Sequence, residues 1–95
     1  MDKQHTAVLS ASTLMGDSVV NREGDDLGGL EELMIDLIGG RIAYAVLSFG
    51  GFLGLGEKLF AIPWDALALD QEEERLILDV DEEMLEDAPG FDKDD

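Results

Sequence analysis

The sequence predicts an all-β fold: a small antiparallel barrel of about six strands, with one or two short helical turns. Three observations carry that expectation. Short runs of strand-forming residues recur along the 95-residue chain, and each is closed by a glycine, a proline or an acidic turn. Ile42 to Phe49 (IAYAVLSF) is apolar at both parities, as expected of a strand covered on both faces. Two segments also echo one another: Leu33 to Ile42 (LMIDLIGGRI) aligns with Leu67 to Leu76 (LALDQEEERL) at an offset of 34 residues.

Taken in order, Ser10 to Met15 offers one helical turn with Ser10 or Ser12 as its cap, and Gly16 ends it. Asp17 to Asn21 (DSVVN) has strand composition, and Arg22 to Asp26 turns around Gly24. Gly29 to Asp36 alternates, which puts Leu33, Ile35 and Leu37 on one face and Glu32, Met34 and Asp36 on the other. Gly39-Gly40 connects it tightly to Ile42 to Phe49. Lys58 to Ile62 is a further strand, stopped by Pro63, and Pro63 to Ala66 forms a turn or short helical step. Leu67 to Asp70 and Arg75 to Val80 are strands joined by the polar run Gln71 to Glu74. Asp81 to Asp87 places acids where a helix N-terminus favours them, and Pro89-Gly90 closes that turn. This divides the chain into a flexible tail (1–9), a barrel domain (10–88) and an acidic C-terminal tail (89–95).

In the echoed hairpins Asp36 matches Asp70 and Arg41 matches Arg75, with connections 37–40 and 71–74 of equal length. The sequence therefore predicts an Asp–Arg pair across each hairpin neck, worth at most about 1 kcal/mol at the surface.

Charge excludes several partners. The chain carries 23 acidic and 6 basic residues, a net charge of −17. Direct nucleic-acid binding needs clustered Lys and Arg, and an anionic membrane repels this surface for the same reason. A basic protein partner, or a cytoplasm of high ionic strength, is compatible with it. No cysteine is present, so disulfides and thiolate chemistry are excluded. The longest uncharged stretch, Ile42 to Gly56, is 15 residues, short of the ~20 that span a bilayer. The expectation is a cytoplasmic protein without a transmembrane segment.

The glycine-rich stretch around Gly50, Gly51, Gly54 and Gly56 invites a phosphate-loop reading, which fails on spacing. Counting from Gly51, Glu57 stands where the Walker lysine belongs, Lys58 is one place late and Leu59 replaces the hydroxyl. A carboxylate at the mouth of a phosphate nest repels the ligand. Gly54-Leu55-Gly56 also lacks the third glycine of a dinucleotide loop. The single histidine, His5, lies in the N-terminal tail, and no EF-hand spacing is present. No catalytic residue, cofactor or metal ligand set is expected, and the chain does not read as an enzyme.

Gly39 to Leu67 (GGRIAYAVLSFGGFLGLGEKLFAIPWDAL) closely resembles the PRC-barrel family. The likeness extends upstream through Ser12 to Gly16 and Gly24 to Gly28, and downstream through Ile77 to Val80 and Ala88 to Phe91. The family includes the cytoplasmic domain of the photosynthetic reaction-centre H subunit, the C-terminal domain of a ribosome-maturation factor and small free-standing proteins. The resemblance implies a small, mostly antiparallel barrel of about six strands and is greatest to the free-standing members. It implies a non-enzymatic interaction or assembly module. Alternatives are an accessory subunit of reaction-centre electron transfer or assembly, and a ribosome or RNA-processing accessory factor that binds a basic protein. The H subunit carries a helix ahead of its barrel and the maturation factor a further domain, so the free-standing reading is preferred.

A barrel interior accepts one parity of each strand, so the opposite parity needs another cover. The surplus apolar residues nominated for a partner or dimer interface are Met34, Tyr44, Phe49, Phe52, Leu55 and Ile77. A symmetric homodimer is the expected cover.

Overall fold

A computed structural model describes residues 8–50 and 57–90. Six strands form one sheet: β1 (Ser18–Val20), β2 (Asp26–Asp36), β3 (Arg41–Gly50), β4 (Glu57–Pro63), β5 (Leu67–Asp70) and β6 (Arg75–Leu78). Two short helices flank it, α1 (Ala11–Met15) and α2 (Glu82–Asp87), and a 3-10 turn covers Trp64–Ala66. The strand order is β4-β3-β2-β1-β6-β5. The two edge strands, β4 and β5, are consecutive in the chain and joined only by that 3-10 turn. One edge must therefore approach the other there, and the sheet curls into a half-barrel.

Four ladders are antiparallel, as expected of a mostly antiparallel barrel, and the fifth is parallel. β1 runs parallel to β6, with Val19 beside Leu76 and Val20 beside Ile77. After β2 to β5 have wound round the sheet, β6 reaches the open edge of β1 running the same way as β1.

Cross-strand register defines the inner face. Leu30 lies opposite Leu47, Leu33 opposite Ala45 and Leu47 opposite Phe60. Leu27, Leu47, Leu76 and Val19 are the largest fully buried side chains. Each contributes about 1.5–3 kcal/mol by leaving water. Leu14 of α1 and Leu85 of α2 join the same cluster, so each short helix is held by one leucine. The Phe49 ring meets the Phe60 ring edge-on, centroids 6.4 Å apart. On β3 three consecutive residues, Ala45, Val46 and Leu47, are buried, so this part of the strand is covered on both faces.

Local chemistry sets the ends of the elements. The Ser10 hydroxyl accepts from the Thr13 N–H at 3.1 Å, capping α1, and Gly16 terminates it. Asn21, only 3% exposed, organises the β1–β2 turn. Its side-chain oxygen accepts from the N–H groups of Glu23 (3.1 Å) and Asp25 (2.9 Å), and its amide donates to the Asp25 carboxylate (3.2 Å). Gly28 has a φ of +134°, and a Cβ there would lie 1.9 Å from the Ser48 carbonyl oxygen. Only glycine lets β2 pass β3 this closely.

The echoed hairpins carry the expected ion pairs. Arg41 Nε lies 4.0 Å from Asp36 Oδ2, and Arg75 Nε lies 3.2 Å from Asp70 Oδ2. The likeness extends to the backbone: Gly40 (φ 69°) and Glu74 (φ 57°) hold the same left-handed position, one residue before each arginine.

Candidate functional site

Two of the nominated residues meet. Met34 on β2 lies directly opposite Tyr44 on β3, both on the outer face of the sheet, and they are 40% and 38% exposed. The next rung of that face is Glu32 opposite Val46. Ile77 is half-buried on the outer face of β6, beside Val20 and Ala68. It does not adjoin the Met34–Tyr44 rung, because β1 stands between β6 and β2 and meets β2 at its opposite end, near Asp26. Phe49 leaves the candidate set: at 8% exposure its ring belongs to the core, fixed by the parity of β3 and by Phe60. Phe52 and Leu55 lie outside the described residues.

The structure also exposes residues that alternation groups with the buried-side Leu33 or that fall in the connection after it. Ile35 is 52% exposed, Leu37 88% and Ile38 101%. The cause is the length of the β2–β3 hairpin. The β4 ladder ends where Pro63 meets Tyr44, and β1 leaves β2 at Gly29. Among the described residues, the stretch from Ile35 to Ala43 is a two-stranded ribbon with no third strand on either side. Alternation alone groups Ile35 and Leu37 with Leu33 on one face, but the sheet stops short of them.

The turn at the ribbon's end is well ordered by its own hydrogen bonds. Asp36 Oδ1 accepts from the N–H groups of Ile38 (3.1 Å) and Gly39 (3.0 Å), and the Gly40 N–H donates to the Asp36 carbonyl (2.7 Å). The Asp36 carboxylate is thus used as a turn former and as the partner of Arg41.

Lys58 does not serve a phosphate site. Its ammonium donates to the carbonyls of Leu85 (3.4 Å), Glu86 and Ala88 (2.9 Å), closing the C-terminal end of α2. A cation there also complements the helix dipole. The described arginines are engaged too, with Arg22 pairing Asp79 at 3.1 Å beside the two hairpin pairs. Burial, with the Glu74 charge adding to it, raises the Asp17 carboxyl above its ordinary value. Among the described residues, no three His, Asp or Glu side chains converge as a metal-binding group, and no helix is long and apolar enough to cross a membrane.

A solved structure of RimM from Pseudomonas aeruginosa, named for 16S ribosomal RNA processing, superposes with a TM-score of 0.52 at 16% identity. The match covers 87% of this chain and 50% of that one, so this chain spans half the length of its structural relative. At that identity the likeness is one of fold. No curated protein sequence matches. The family model of the PRC-barrel domain matches residues 7–85, taking in both helix leucines, Leu14 and Leu85, and the whole sheet between them. The chain belongs to the PRC-barrel domain family.

Proposed function

We propose that this chain is a non-enzymatic protein-interaction or assembly module that acts as a homodimer in the cytoplasm. The Met34–Tyr44 rung carries the reading: a thioether and an aromatic ring stand side by side on the outer face, each more than a third exposed. Adjacent exposed apolar side chains on a small domain favour an interface. Membership of a family that includes assembly modules supports the same direction. So does the residue chemistry, with no cysteine and a single histidine from which to build a nucleophile and its base. The interacting unit is assigned to residues 10–88, with 1–9 and 89–95 as tails.

Native mass spectrometry tests the reading. The expected species is twice the 10.3 kDa chain mass, with no bound nucleotide or metal. A single-chain species throughout the micromolar range, or a stoichiometric ligand, contradicts it.

A second reading is favoured by the ribosome-related name of the structural relative and the net charge of −17. In it the acidic surface binds a basic protein of the ribosome or of its RNA-processing machinery. Its mark is salt-sensitive co-sedimentation with ribosomal subunits; sedimentation apart from them at every salt concentration excludes it.

A further inference from the structure

We propose that the free end of the β2–β3 ribbon, residues 34–44, is where two copies of this chain clasp. The Leu37–Ile38 tip of each copy lies on the Met34–Tyr44 rung of the other. The inference rests on the homodimer reading and gives it a location.

A two-stranded ribbon with no further cover is marginally stable in water. Among the described residues this one has no third strand, yet it holds Ile35, Leu37 and Ile38 at 52, 88 and 101% exposure. The tip is pre-organised, because the Asp36 carboxylate and carbonyl already bind the N–H groups of Ile38, Gly39 and Gly40. Docking it therefore costs little ordering entropy. The rung suits such a tip: methionine adapts its shape to aliphatic knobs, and tyrosine gives a flat ring with few torsions to lose.

Charge selects the occupant. The chain carries −17 overall, yet the only charged residues within 33–56 are Asp36 and Arg41, which pair with each other. The acid bordering the rung on its own face is Glu32. Two copies repel wherever acidic surface meets acidic surface, and the ribbon end is a local stretch where that repulsion is absent. A basic partner finds no excess of acid to grip there. A two-fold axis between tip and rung makes both contacts at once and closes the assembly at two copies.

Light scattering on the full chain tests this with Ile38→Asp and, as a control of equal charge change, Met84→Asp on α2, where Met84 is 60% exposed. Circular dichroism verifies that each variant is folded. At concentrations where the wild type has twice the chain mass, Ile38→Asp is expected at the single-chain mass, its dissociation constant weakened at least about tenfold. Met84→Asp is expected to remain at twice the mass. The chain has no cysteine, so a disulfide reports only introduced thiols. Under oxidation the Ile38→Cys/Tyr44→Cys double variant should give a covalent dimer in higher yield than either single variant. A dimeric wild type whose Ile38→Asp variant is also dimeric overturns the ribbon placement and leaves the homodimer reading standing. A wild type that is monomeric throughout overturns both, as does a monomer that co-sediments with zwitterionic vesicles through the same tip.

Discussion

Gly28 shows how much one residue can carry. Its φ of +134° belongs almost to glycine alone, and a methyl group there would enter the Ser48 carbonyl at 1.9 Å. Gly28→Ala is expected to cost about 3 kcal/mol or more, read as a fall in the urea midpoint. An unchanged midpoint contradicts the close crossing of β2 and β3. Glu74 is the opposite case: it holds a left-handed φ of 57° where the matching hairpin has Gly40. Glu74→Gly should stabilise by about 1 kcal/mol, since the strain of a side chain in that conformation is removed. Asp17 adds a pH dependence. Its folded carboxyl is raised by burial and then by Glu74, so the folded state binds this proton more tightly than the unfolded chain does. Ionised Asp17 therefore opposes folding at neutral pH, and that cost fades as pH falls through the raised value toward the ordinary one of about 3.9. Asp17→Asn should raise the melting temperature at pH 7 and lose its advantage in acid. An equal gain at both pH values contradicts the assignment. The Ser10 cap was legible because its partner, Thr13, is three residues away. Gly28 was not, since its constraint comes from Ser48, twenty residues further on.

At the scale of elements, local signals served well and long-range ones poorly. The Asp36–Arg41 and Asp70–Arg75 pairs followed from the internal echo. The parallel pairing of β1 with β6 had no local mark, because nothing within Ser18–Val20 announces a partner near residue 75. The exposure of Ile35 and Leu37 was likewise hidden, as it depends on where β4 and β1 stop. Lys58 was legible as the start of a strand, and its use became visible only with α2 in place. Lys58→Met keeps the aliphatic stem and removes the ammonium that binds the last carbonyls of α2. It should cost about 2 kcal/mol, within the range for hydrogen bonds to a charged group, with faster amide exchange concentrated in Glu82–Asp87. A uniform change in exchange over the whole sheet contradicts a local role.

For the whole molecule, charge and cover oppose each other. A chain of 95 residues at −17 repels itself, and its described arginines are already paired, leaving much acidic surface unbalanced. Added NaCl screens that repulsion, so melting temperature should rise toward the molar range; a flat or falling curve shows the acids to be dispersed enough not to matter. The same screening should strengthen association between copies, whereas it weakens any grip on a basic partner. Sedimentation equilibrium of the wild-type chain across the micromolar range, at low and at high NaCl, tests the homodimeric module most directly. The expected result is twice the 10.3 kDa chain mass, with a dissociation constant that tightens as salt rises. A single-chain mass at every concentration and salt would contradict it.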